Sequence, residues 1–134
     1  MDRNYDIISH ILKYCNDIDD SIEYFGKDYE VFCNNKHYQN DISMCIFQIG
    51  ELAGHLTEEY KEQTKATIPW KAIRGMRNLF AHAYHNMRVD EIWKTAIENI
   101  QPLKDFCVQQ LETYNLMNQN SVDPMDDEDY DMEM

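Results

Sequence analysis

Seven residues with apolar side chains, Ile42, Cys45, Ile46, Ile49, Leu52, Ala53 and Leu56, recur at steps of three and four. A strand would scatter such a set over both faces, whereas an α-helix gathers it into one stripe that must be covered. The stripe predicts a helix of about residues 38–64. Met44, Phe47, Glu51 and His55 fall on its other side, and the two large apolar groups among them fit either a partner surface or ordinary tertiary packing.

The same period runs through most of the chain. Ile8, Ile11, Leu12, Cys15, Ile18, Ile22 and Phe25 predict a first amphipathic helix that Gly26 terminates. Residues 27–40, with Tyr29, Val31, Phe32 and Tyr38, read as a short helix or a packed connection. Pro69 suits the first position of a further helix, with Thr67 as its cap, running to about Tyr84. Gly75 is expected as an irregularity within it and Asn86 as its left-handed stop. A last helix starts near Val89 or Asp90 and carries Ile92, Trp93, Ala96, Ile97, Ile100, Leu103, Cys107 and Leu111 on one side. Pro102 should kink or restart it. The chain is therefore predicted to be all-α, with four main helices and one short extra helix or connection.

At 134 residues the length suits one domain. Residues 1–118 form the predicted helical domain. Residues 119–134 turn polar and then strongly acidic, which predicts a disordered tail. Seven acids and no base fall in residues 121–134, so the net charge of −13 becomes −6 for the remainder, where 18 acids face 12 bases. No window reaches eighteen apolar residues and the first residues lack the order of a signal peptide, so a cytoplasmic protein without membrane contact is expected. Cys15, Cys33, Cys45 and Cys107 form no C-x-x-C pair, and three lie on apolar stripes, which favours free buried thiols. His10, His37 and His55 read as surface or half-buried groups. Trp70 and Trp93 read as core anchors rather than base-stacking platforms.

Chemistry concentrates in Arg77-Asn78-Leu79-Phe80-Ala81-His82-Ala83-Tyr84. Arginine keeps its charge and its fork matches a phosphate. Histidine both accepts and donates a proton near pH 7. Met76, Leu79, Phe80 and Ala83 make the apolar stripe of this helix, which turns the polar members outward and leaves Arg77 exposed in a groove. Arg77 and His82, five apart, diverge by about 140° on a regular helix and cannot grip one phosphate from one side. Either the helix frays near His82, or two copies face each other across a two-fold axis.

The spelling Arg, four residues, His, one residue, Tyr resembles the signature of the HEPN superfamily, and within it the HepT-like toxins. Ile68-Pro69-Trp70, Gln48-Ile49-Gly50-Glu51-Leu52-Ala53 and Glu91-Ile92-Trp93 are similar to words of that family, so the resemblance covers roughly residues 5–115. It implies an antiparallel four-helix bundle that forms a homodimer with both motifs in one cleft. It further implies a metal-independent endoribonuclease without cofactor, acting on RNA rather than DNA. His82 would serve as general base or acid on the ribose 2′-hydroxyl, Arg77 would stabilise the developing phosphorane charge, and cyclic phosphate ends would result. Asn78 would orient the substrate or hold His82, while Tyr84 would accept AMP from a cognate nucleotidyltransferase antitoxin. Glu51, His85 and Arg88 are accessory candidates, Glu51 as a polar contact and the other two as local positive charge. Asn86 stands where relatives often have glycine, and the acidic tail is foreign to the pattern. A different class of function also fits these residues: a non-catalytic helical subunit that binds nucleotide or substrate within a nucleotidyltransferase complex. The pair His82 and His85 could mimic metal ligands, but no Asp, Glu or Cys stands nearby at ligand spacing.

Overall fold

The computed structural model describes residues 2–82 and 88–119, the side chains of residues 78–82 and 119 excepted. The described residues form helices and no strand: α1 (Arg3–Phe25), α2 (Tyr29–Cys33), α3 (Lys36–Ala53), α4 (Glu58–Thr64), α5 (Trp70–His82), α6 (Val89–Lys94) and α7 (Ile100–Gln119). A π-helical turn, Thr95–Asn99, joins α6 to α7. This is the all-α bundle expected, with α1 packed on α3 and α7, and α3 packed also on α5.

Local signals set the ends of α1. The Asp2 side chain accepts from the Asn4 amide at 2.7 Å, and Gly26 at φ 110° closes the helix by donating its N–H to the Ile22 carbonyl. That φ is one an L side chain resists, so glycine is needed there for its backbone alone. Between these ends Ile8, Ile11, Cys15 and Ile18 are wholly buried, as are Ile42 and Ile49 of α3. The two stripes read from the sequence thus close on each other. The short extra helix is α2, whose Phe32 packs edge-on against Tyr38 and tilted against Trp93. Tyr38 is fully buried, and its hydroxyl donates to the Gly26 carbonyl at 3.0 Å, so no polar group is stranded there.

Four expectations need correction. The single helix of residues 38–64 is two helices, broken after Ala53. Thr57 restarts the chain by accepting from the Tyr60 amide, while Asn4 of α1 accepts from the Thr57 amide and donates to its hydroxyl, each at 3.0 Å. The apolar period ran on to Leu56 because that residue is buried from the turn itself. The next helix begins at Trp70, and Pro69 stands just before it as the acceptor of the Ile73 amide, while the Thr67 amide closes a turn back to Thr64. Gly75 causes no irregularity, since α5 runs through it. The irregularity expected at Pro102 lies one turn earlier: the Ile100 amide bonds the Thr95 carbonyl, and the widened turn places Pro102 in the first turn of α7, where its missing donor costs little.

Cys15, Cys45 and Cys107 are buried and free, but Cys33 is exposed, a departure from the expectation for all four. Trp70 is a core anchor whose indole donates to the Thr64 hydroxyl at 2.7 Å, and Trp93 is half-buried among Phe32, Tyr38 and Tyr29. Phe47 of the presumed second patch is half-buried and Met44 exposed. His10, His37 and His55 are exposed. Among the described residues no helix is long and apolar enough to cross a membrane. The acidic tail beyond residue 119, the helix stop at Asn86 and the burial of Leu79, Phe80 and Ala83 lie outside the described residues. Met76 is half-buried against the core.

Candidate active site

Two glycines on one face of α3 decide how closely α5 approaches. A Cβ on Gly50 would stand 3.1 Å from the Arg77 Cβ, the Arg77 amide nitrogen and the Ile73 carbonyl oxygen, so the two backbones nearly touch there. One turn later a Cβ on Gly54 would stand 2.7 Å from the Arg74 guanidinium carbon. Close approach needs residues without side chains. Between the glycines Glu51 projects to the seam, where its Oε1 pairs with Arg77 Nε and lies 3.7 Å from Arg74 Nη1. Arg74 Nη1 also reaches the Gly50 carbonyl at 3.4 Å.

Arg77 is therefore held from behind. Its Nε and the facing carboxylate oxygen are shut off from solvent, yet the Arg77 side chain as a whole is 38% exposed. The exposure falls on the rest of the side chain, and a guanidinium carries further donors besides the Nε committed to Glu51. Arg77, expected to be exposed in a groove, is half-buried, and the accessory Glu51 proves to be its ion-pair partner.

The helical backbone continues through Asn78 to His82, the last residue of α5, while the side chains of both lie outside the described residues. Tyr84 and His85 also lie outside them. Arg88 is described: it is exposed, precedes α6 and pairs with Glu91 at 3.3 Å. The structure thus joins Arg77 to Glu51 and leaves Arg88 on a local surface pair. Sequence reading missed Arg74, Gly54 and the lysines Lys61, Lys65 and Lys71 around them. A usable signal was present, the three-residue spacing of Lys71, Arg74 and Arg77 in an otherwise acidic chain. Among the described residues no group of three or more His, Cys, Asp or Glu is placed to hold a metal.

Residues 11–109 match the family described as Ribonuclease HepT-like. The chain belongs to the HepT-like ribonuclease family. Two similar proteins of Methanocaldococcus jannaschii, both named as candidate RNases, are 30% identical over 95 residues and 32% over 102. The first alignment covers 70% of this chain and 84% of the relative, the second 75% and 80%. A Thermococcus cleftensis protein bearing the name "Probable ribonuclease HepT" is 31% identical over 96 residues, covering 68% of this chain and 86% of its own. No solved structure matches the chain. The HepT-like region contains Glu51, Arg77, Asn78, His82, Tyr84, His85 and Arg88, so every candidate site residue falls within the segment that carries the family likeness. Ribonuclease activity is the general function that this membership supports.

Proposed function

We propose that this HepT-like chain is the toxin of a toxin–antitoxin pair, a metal-independent endoribonuclease acting as a homodimer in the cytoplasm. The observation that carries the reading is Arg77, anchored through Nε by Glu51 yet partly exposed beside the histidine-bearing end of the same helix. His82 takes the proton from a ribose 2′-hydroxyl, whose oxygen attacks the adjacent phosphorus. The bond to the 5′-oxygen breaks, that oxygen takes up a proton from the His82 imidazolium or from water, and a 2′,3′-cyclic phosphate remains. Arg77 stabilises the charge gathered on the phosphoryl oxygens, and Asn78 orients the strand. His85 and Arg88 add positive charge at the edge. The backbone stays helical from Arg77 to His82, and positions five apart on a regular helix lie about 140° apart, which supports a site composed from two copies. AMP added to Tyr84 by a cognate nucleotidyltransferase antitoxin brings a phosphate to the flank of Arg77 and silences the enzyme.

A second reading, a non-catalytic subunit of a nucleotidyltransferase complex, is favoured by one observation, the net charge of −13. The test is cleavage of single-stranded RNA by the purified chain with EDTA present, comparing wild type with His82→Ala and Arg77→Ala. Metal-free cutting with cyclic ends, lost in both variants, supports the ribonuclease. Full activity in His82→Ala removes the catalytic assignment, and an inert but AMP-accepting chain supports the subunit. Intact mass after incubation with the partner and ATP locates the adduct, expected on Tyr84 and absent in Tyr84→Phe.

A further inference from the structure

Against its acidic background the chain gathers positive charge in one place. A cavity of about 480 Å³ between α4 and the start of α5 is lined by Lys61, Lys65, Lys71 and Arg74, with Glu58 and Glu62 at its side. A third of the chain's twelve Lys and Arg residues thus meet here, four cations against two carboxylates. Each carboxylate is already engaged three residues along the chain, Glu58 with Lys61 at 3.0 Å and Glu62 with Lys65 at the end of α4. Both carboxylates of these pairs are exposed, and pairs open to solvent on that side hold little energy and yield to a stronger anion. Among the described residues no carboxylate pairs with Lys71 at all. The volume suits a nucleotide-sized group.

What the cavity would take follows from its connection to Arg77. Lys71, Arg74 and Arg77 succeed one another every three residues on α5, covering about 9 Å of helix axis. Arg74 belongs to both places: it lines the cavity, and it shares the Glu51 carboxylate with Arg77. A single small anion would reach only one or two of these cations, of which Lys71 alone has no carboxylate partner among the described residues. A chain of phosphates would answer them in order.

We propose that the α4–α5 cavity is a backbone subsite for single-stranded RNA, in which Lys61, Lys65, Lys71 and Arg74 bind the phosphates flanking the one held by Arg77. The proposal rests on the ribonuclease reading of Arg77. It also answers the difficulty of an RNA-cutting chain with acidic charge, because the repulsion of the body is offset locally by a funnel of cations leading to the site.

Fluorescence anisotropy with a labelled single-stranded RNA, using the full chain carrying His82→Ala to prevent cutting, tests it across a salt series. Adding Lys65→Ala and Lys71→Ala should weaken binding roughly tenfold and reduce the slope of log affinity against log salt by about 1.4, about 0.7 for each lost phosphate contact. Lys13→Ala with Lys36→Ala, which removes the same charge from α1 and α3, should change neither by as much. In the cleaving protein the cavity pair should raise KM for long RNA. If wild type cuts RNA while the cavity pair keeps both affinity and slope, the subsite is refuted and the ribonuclease stands. Equal losses in the cavity and control pairs would reduce the effect to net charge and also refute it. If wild type neither binds nor cuts RNA, both readings fall.

Discussion

Helix α3 meets its two neighbours by opposite means. Toward α1 it offers large side chains, and Ile42 and Ile49 join Ile8, Ile11 and Ile18 in a seam with no accessible surface. Toward α5 it offers the absence of side chains at Gly50 and Gly54, with Glu51 between them. The first seam is driven by apolar area removed from water, which is non-directional and tolerates exchange of shape. The second sets distances. It brings a carboxylate to an arginine and leaves that arginine partly in solvent, which a packed apolar seam would not do. Stability and site geometry are thus separated on two faces of one helix.

The separation is open to direct attack, beginning where the energies are largest. Ile49→Ala leaves a hole in the closed seam and should cost about 4 kcal/mol by urea unfolding. Gly50→Val should cost on the order of 3 kcal/mol, because its Cβ meets the backbone of α5, which has no rotamer by which to yield. Gly54→Ala meets only the mobile end of Arg74, so its unfolding free energy should change by less than about 1 kcal/mol. A Gly50→Val protein as stable as Gly54→Ala would mean that α3 and α5 do not approach so closely in solution, and the contrast between the two faces would collapse.

Activity should respond in the reverse sense. Glu51→Gln loses the charge that orients Arg77 but buries no new surface, and both partners are about a third exposed, so stability should fall by less than about 1 kcal/mol. Cleavage should fall roughly tenfold in kcat with RNA affinity nearly kept, since the guanidinium still binds phosphate but is no longer aimed at the charge that develops in the transition state. Should Glu51→Gln cut RNA at the wild-type rate, Glu51 serves packing alone. A parallel loss of affinity and rate would place it in substrate binding instead.

Much of the apolar face was legible because burial leaves a period in the sequence. Ile8 to Phe25 and Ile42 to Ala53 spell their helices by spacing alone, and Gly26 marks its own stop. The break at residues 54–57 was not, since Leu56 keeps the period while Asn4, fifty-three residues away, supplies the hydrogen bonds that fix the turn. Arg77 was legible as a cation in contact with solvent, being off the stripe of its helix, though it is half-buried rather than exposed. Its pairing with Glu51 was not, because a contact between helices depends on their approach, and that approach is set by Gly50, a residue with no side chain to read. The cationic cavity was hidden for a similar reason: Lys61 lies on a helix that the sequence pattern merged with α3, and Lys65 caps the end of that helix.

The thiols give the gentlest probe of the apolar face. Cys15 on α1 and Cys45 on α3 lie in the seam, and burial pushes their pKa values from an ordinary 9.0 to about 12 and about 11, with nearby carboxylates adding to the rise. Cys33 is exposed. Well below pH 9 both thiols are protonated whether folded or not, so their contribution to stability is complete. Between pH 9 and 11 the unfolded chain releases these protons while the folded chain retains them, and unfolding is favoured by as much as about 1.4 kcal/mol per pH unit for each thiol. The urea midpoint should therefore fall as pH rises from 9 to 10.5, and Cys15→Ala should flatten that fall while lowering the midpoint at pH 7 only modestly. A thiol reagent at pH 8 should modify Cys33 rapidly and the three buried cysteines only as fast as the fold opens. Rapid modification of Cys15 or Cys45, or a pH profile that Cys15→Ala leaves unchanged, would show that water reaches the α1–α3 seam and that the two faces of α3 differ less than their packing implies.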